Sequence, residues 1–189
     1  MARNDERRNL LADAGLRVLA DEGARGLTHR AVDRAADVPL GTTSNYFRSR
    51  DALVAGLVER IGERLTPSED VLASLADREP SRELFADYVR YIVRRLTENR
   101  EVTLALFELR LESRRRPEVA EMLSHWGRSG FEADVAFNTA AGLPGGAREI
   151  ALLHYAVDGL VFDRLTTPLM PDRSTDEIID DLVAGLLPR

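Results

Sequence analysis

The stretch VPLGTTSNYFRSRDAL, residues 38–53, constrains the fold more than any other part of the chain. Its centre, Gly41, Thr42, Thr43, Ser44 and Asn45, holds poor helix formers in a run too short for a core strand. Strong helical patterns press in on both sides. Upstream, Thr28 can N-cap a short helix through Ala36, with Val32, Ala35 and Ala36 facing inward. Downstream, Ser49 can cap the next helix and Asp51 suits its first turn. Leu53, Leu57, Ile61 and Leu65 form that helix's apolar stripe, which stops near Pro67. A turn at Asp37–Val38 then leaves room for little more than one short polar helix ending near Tyr46 and Phe47. Residues 5–22 read as a further amphipathic helix, with Leu10, Leu11, Ala14, Val18 and Leu19 on one face and Gly23 as its stop.

Helix, tight turn, short polar helix is the layout of a helix-turn-helix. A helix that enters the major groove needs small or hydrogen-bonding side chains outward, so that its backbone can approach the base edges. Gly41, Thr42, Thr43, Ser44 and Asn45 meet that need, and Tyr46, Arg48 and Arg50 can reach phosphates. Thr28 and the N–H groups after it offer an anion site at a helix start, and Arg30 can reach a base edge or a phosphate. The same composition also suits a polar loop with two aromatic anchors, and composition alone does not separate the two. Charge leans towards nucleic acid only modestly. Residues 1–50 carry nine Arg against seven Asp and Glu, +2, within a chain of net charge −6.

The remainder also reads as helix, so the expected fold class is all-α. Pro80 and Ser81 open a helix containing Leu84, Phe85, Tyr88, Ile92 and Leu96, and Asn99–Arg100 mark a break before the element holding Leu104 to Leu111. Pro117 starts a helix towards Asn138, AGLPGGA (141–147) is a loop, and helices follow at 147–165 and 175–187. In the penultimate helix Ile150, Leu153, Val157 and Leu160 form one apolar stripe, and Ala151, Tyr155, Phe162 and Leu165 a second. The last helix carries apolar pairs at Ile178/Ile179, Leu182/Val183 and Leu186/Leu187. Stripes this wide bury more than one face, which points to a four-helix interface between two subunits at Ile150, Leu153, Val157, Leu160, Ile178, Leu182 and Leu186. A central helix in a larger monomeric core is the competing reading.

Other function classes find little support. The chain has no Cys, and its three His (His29, His125 and His154) form no metal-binding doublet. No phosphate loop or nucleophile elbow is present, so neither an enzyme nor a metal or cofactor is expected. No apolar run is long enough to span a membrane, and MARNDERR at the start has no apolar stretch behind it, so a cytoplasmic protein without a membrane partner is expected.

GLTHRAVDRAADVPLGTTSNYFRSRDALV (26–54) resembles the DNA-binding signature of the TetR family of bacterial one-component transcriptional regulators. The matching positions are Thr28, Ala36, Val38, Gly41, Thr42, Tyr46, Phe47, Arg48, Ser49, Arg50, Asp51 and Leu53. LLADAGLRVLADEGARG before them resembles the family's first helix, and HYAVDGLVFDRL its penultimate one.

The resemblance implies a DNA-binding domain at 1–48, a connecting helix at 49–65, and an effector-binding and dimerisation domain at 66–189. It implies a homodimeric repressor that binds double-stranded operator DNA through Thr28, Arg30, Gly41, Thr42, Thr43, Ser44, Asn45, Tyr46 and Arg50, and that a small-molecule effector releases. Ser44 and Asn45 would face bases; Thr28, Thr42, Tyr46 and Arg50 would hold phosphates; Phe47 would anchor the helix in the core. The effector chamber would draw on Phe85, Tyr88, Tyr91, Phe107, Leu111, Trp126, Phe131 and His154, each of which also reads as plain core, with His154 and Asp158 able to share a proton. The alternative is a helical ligand-binding or adaptor protein whose DNA-binding end is vestigial.

Three departures from the family pattern stand out. Asp37 stands where the turn usually has Gly, but Asp tolerates the left-handed conformation. Asp33 replaces a small apolar residue, so that face is expected to be more exposed than usual. Pro39 and Leu40 open the recognition helix where a polar residue is commoner, and Pro39 removes an N–H.

Overall fold

Side-chain caps mark four of the helix starts. Thr28 Oγ1 accepts from Ala31 N at 3.1 Å, Ser49 Oγ from Ala52 N at 3.0 Å, and Ser81 Oγ from Leu84 N at 3.0 Å. Ser174 and Glu177 form a reciprocal capping box. The structure, a computed structural model, describes residues 2–188, and among them every regular element is a helix. In order these are α1 (Ala2–Gly26), α2 (His29–Ala35), α3 (Thr42–Tyr46), α4 (Arg50–Arg64), α5 (Glu69–Ala76), α6 (Arg82–Glu98), α7 (Arg100–Glu112), α8 (Pro117–Ala140), α9 (Ala147–Leu165) and α10 (Thr175–Leu186). Helix α5 was not expected from the sequence. None of the helices is long and apolar enough to cross a membrane.

The helices group into two compact units, one of Met1–Thr66 with Asn99–Trp126 and one of Pro67–Glu98 with Gly127–Arg189. In the first, α1 packs against α2, α4 and α7. It therefore buries more than the single stripe expected: Ala12 and Leu16 are interior along with Leu11, Ala14, Val18 and Leu19, while Leu10 is left exposed. Gly23, at φ 68 and ψ −176, leaves the helical conformation and breaks α1 where the sequence places a stop, and a short helical stretch follows to Gly26. Leu53, Leu57 and Ile61 of α4 complete this core, and Arg60 joins α4 to α1 through two hydrogen bonds to Asp13, at 2.9 and 2.8 Å. Burial pushes the Asp13 carboxyl up, but Arg60 and Arg64 together hold it below the ordinary carboxylate range.

In the second unit α6 packs on α9 and α10. Arg90 of α6 pairs with Asp87 at 2.7 Å and with Asp180 of α10. Asn138 donates to Leu143 O and Gly145 O at 3.3 and 3.0 Å, which shapes the loop before α9. Ile150, Leu153, Val157 and Leu160 are all buried in this subunit core. Their assignment to an interface between subunits is therefore corrected: the stripe is spent inside the subunit, where α9 packs against α6 and α10. The apolar surface that α9 leaves open is the other stripe, with Tyr155 72% and Phe162 50% exposed. On α10, Ile179 and Val183 are buried, and Ile178, Leu182 and Leu186 are half-buried.

Candidate DNA-binding site

Helix α2 leaves into the turn through a Schellman motif: Asp37 N donates to Arg34 O at 3.2 Å and Val38 N to Asp33 O at 3.0 Å. Asp37 takes the left-handed conformation at φ 52, the role usually given to Gly. Arg17 of α1 donates to Ala35 O at 3.0 Å and satisfies another carbonyl at the end of α2.

The chain then passes Pro39 and Leu40 and enters α3 at Gly41, whose φ of 92 is a left-handed value that a side chain would strain. Helix α3 begins at Thr42, two residues later than Leu40. Thr42 N and Oγ1 both donate to Pro39 O, at 3.1 and 2.6 Å, so the Thr42 hydroxyl proton is turned inward although the side chain is partly open. Phe47 closes the helix by donating its N–H to Thr43 O at 2.8 Å, and its ring is 1% exposed. A side chain at Gly56 of α4 would overlap that ring, so the bare backbone at Gly56 makes room for Phe47.

Asp33 is not on an exposed face. It is fully buried and faces α3: Oδ2 accepts from Gly41 N at 2.7 Å, and Oδ1 accepts from Thr43 N at 2.7 Å and Thr43 Oγ1 at 2.5 Å. The expectation of greater exposure failed because three donors eight to ten residues away meet the carboxylate. Burial pushes the Asp33 carboxyl up; the Thr43 hydroxyl, the Thr43 and Gly41 N–H groups and nearby His29 outweigh it and hold the acid below its ordinary range.

The expected DNA-contacting residues divide accordingly. Thr28, Arg30, Gly41, Ser44 and Asn45 are exposed, while Thr42 and Tyr46 are half-buried. Ser44, Asn45, Tyr46 and Arg30 have no side-chain hydrogen bond among the described residues. Thr43 is fully buried and its hydroxyl belongs to Asp33, so its place among the direct contacts is corrected. Arg50 donates to Leu27 O and, at 2.6 Å, to Ala24 O, which makes it a brace for the end of α1 before it is a phosphate ligand. Leu40, not among the residues the sequence assigns to this surface, is 69% exposed at the entrance to α3. An apolar residue just before a polar helix was the available signal, since a thymine methyl is read by such a group.

The aromatic set expected to line an effector chamber is also split. Phe107 and Trp126 lie in the first unit; Phe85, Tyr88, Tyr91, Phe131 and His154 lie in the second. Tyr88 stacks edge-on with Phe137 at 4.9 Å, and its buried hydroxyl has no hydrogen-bond partner among the described residues. Burial pushes that phenol up. The Tyr91 hydroxyl accepts from Ser68 N at 2.6 Å, and Arg110 stacks on Phe107. His154 stacks edge-on with Phe131 at 5.7 Å, and its Nε2 lies 2.9 Å from Asp134 of α8. Leu111 is exposed, on an open recess shared with Ala24, Glu108, Glu112, Arg114 and Arg115 in the first unit.

A short polar helix held one tight turn after another, with bare hydrogen-bonding side chains outward, defines a helix-turn-helix protein. Residues 80–189, more than half of the chain, match the family model described as "Tetracyclin repressor-like, C-terminal domain". The chain belongs to the TetR family of transcriptional regulators. It is 28% identical to the HTH-type transcriptional regulator PksA of Bacillus subtilis (strain 168) in a match that spans 42% of this chain and 45% of that relative. Among solved structures it resembles a TetR-family member from Streptomyces coelicolor A3 (28% identity, TM-score 0.69, 97% of this chain and 99% of that one). It also resembles the multidrug binding protein EbrR complexed with imidazole (27% identity, TM-score 0.67, 97% and 96%) and with malachite green (28% identity, TM-score 0.66, 97% and 99%).

Proposed function

We propose that this regulator is a homodimeric repressor whose two α3 helices enter successive major grooves of an inverted-repeat operator. The observation that carries the reading is the exposed, unpartnered pair Ser44 and Asn45 on a short helix clamped to its neighbours. Half-site centres one helical turn apart, ~34–36 Å or a multiple, follow from a two-fold dimer. Thr28, Arg30, Gly41, Thr42 and Tyr46 surround the pair and serve as backbone contacts, with Arg48 exposed beyond them. Residues 1–48 do the reading, 49–65 connect, and 66–189 sense and dimerise.

The dimer face in this reading is the open stripe of α9, Tyr155, Gly159 and Phe162, with Ile178, Leu182 and Leu186 of α10. An added Cβ at Gly159 meets nothing, so a partner helix can come close there. A mostly apolar, aromatic effector suits Phe85, Tyr88 and Phe131, and the unpartnered Tyr88 hydroxyl supplies one orienting hydrogen bond. The bound form then shifts the population away from DNA by no more than its differential affinity for the two states.

Gel-shift titration of the purified protein against its own upstream DNA tests the core of this, with malachite green added as an effector probe. Sequence-selective binding whose affinity falls roughly 10³–10⁵-fold between 50 and 200 mM salt is the expected result for about 6–10 phosphate contacts. Binding indifferent to sequence, upstream and in a random-sequence selection, would sink the reading and return the vestigial alternative.

A further inference from the structure

Helix α3 is tied to α2 at both ends by polar side chains one helical turn apart. At its start Asp33 accepts three hydrogen bonds from Gly41 and Thr43. At its end His29 Nε2 donates to Phe47 O at 2.6 Å; a carbonyl can only accept, so that nitrogen carries the proton. Asp33 and Thr43 are both fully buried. Burying a carboxylate is costly even when it is well partnered, and an apolar pair of similar volume is commonly no less stable. What the polar pair provides is direction. Each carboxylate oxygen is assigned to particular N–H groups, so the start of α3 and its rotation about its own axis are set together. With Thr43 and Phe47 locked inward, Leu40, Ser44 and Asn45 are left outward.

We infer that Asp33, assisted by His29, is the positioning residue of the DNA-reading element: it acts through Gly41 and Thr43 to fix which side chains of α3 face the bases. The inference rests on the DNA-binding reading above. Asp33 touches no DNA itself and confers no charge on the reading surface. Its effect is on sequence discrimination rather than on the electrostatic hold to the phosphate backbone, which α3's rotation changes little.

The test begins with selection from a random-sequence duplex library by the full-length wild type, followed by titration of the selected duplex and a scrambled one at the same salt. In D33N an amide NH2 must face an N–H it cannot accept from. That variant is expected to lose about tenfold or more on the selected duplex and less than about twofold on the scrambled one. D33A/T43L fills the same space with apolar atoms. It leaves the Gly41 and Thr43 N–H groups without their carboxylate acceptor, so it is expected to melt below wild type, and, assayed below its own melting transition, its preference for the selected duplex still falls by about tenfold. H29Q, which keeps a donor, is expected to hold the preference better than H29L.

Wild-type selectivity retained by folded D33N or by D33A/T43L overturns the inference and leaves the DNA-binding reading intact. Should both fail to fold, T43V carries the test: it keeps volume, removes one donor, and must lower the preference about threefold or more, or the inference falls. A wild type that selects no sequence removes the DNA-binding reading, and this inference with it.

Discussion

The α2–α3 segment and the α9–α10 pair solve opposite problems. In α2–α3 the decisive contacts are polar and buried: Asp33 to Gly41 and Thr43, and His29 to Phe47 O. Helix α3, Thr42–Tyr46, is too short to be placed by an apolar stripe, so directional bonds orient it. In α9–α10 the contacts are apolar and wide, with one stripe consumed inside the subunit and a second left open at Tyr155 and Phe162. Directional bonds give a unique orientation at modest stability; apolar stripes give stability and a surface for association without specifying a partner's rotation.

The largest effect expected from testing that contrast is at Phe47, the apolar anchor beneath the polar helix. Phe47→Ala should cost about 3–5 kcal/mol of unfolding free energy, measured by urea denaturation of the full chain. A cost under about 1 kcal/mol would mean that the polar bonds alone hold α3. Next, Leu160→Ala and Phe162→Glu separate the two stripes of α9. Leu160→Ala should lower unfolding free energy by about 2–5 kcal/mol. Phe162→Glu should abolish the proposed dimer in sedimentation while the helical content of the subunit persists. The reverse pattern would restore Leu160 to the interface.

On the reading surface, Asn45→Ala should cost about 1–3 kcal/mol on the selected operator and relax one base position, if Asn45 pairs bidentately with adenine. A uniform loss over all sequences would make it a backbone contact. Acid probes the polar side of the contrast directly. Asp33, Asp13 and Asp87 all have folded-state pKa values below their usual range. For Asp87 the largest influence is burial, which opposes the shift; Arg78 and Arg90 outweigh it. A depressed folded pKa gives stability that is complete above the unfolded value of about 3.9 and is lost as pH falls through the folded one. Stability should therefore hold down to about pH 5 and decline below about pH 4, and D33A/T43L should flatten part of that decline. An unchanged acid limb in the double variant would show that Asp33 is not among the groups responsible.

Much of this was legible because it is local. Thr28 and Ser49 as caps follow from positions within a few residues, while the family resemblance supplied Asp37 as the turn residue and Phe47 as an inward anchor. The misreadings are non-local. Asp33 looked like a solvated charge because its donors lie eight and ten residues on, across a turn. Thr43 looked like a reading residue because a polar side chain on a polar helix gives no sign of which way it points. Ile150 to Leu160 looked like an interface because periodicity reveals a stripe without naming what covers it. The contact of His154 with Asp134 of α8 lies at a separation no spacing rule reaches. Helix α5 did carry a local signal, Ser68 before Glu69 and Asp70, but two flanking prolines made the segment resemble a connection.

The smallest effect expected is at the outer edge of the polar–apolar contrast. Arg8 lies over the Phe47 ring at 5.1 Å and pairs with Glu59 at 2.8 Å, with side chains 38% and 59% exposed. Water screens both interactions, so Arg8→Ala should change unfolding free energy by about 1 kcal/mol or less, with the ion-pair share fading as salt rises. The result matters through its comparison with Phe47→Ala. The two substitutions touch the same ring from outside and from within. If both cost several kcal/mol, the ring would be held from its solvent face, and the placing of α3 would depend on a surface contact. A small, salt-sensitive cost at Arg8 beside a large one at Phe47 assigns the anchoring to the buried face, where α4 leaves space at Gly56 for the ring.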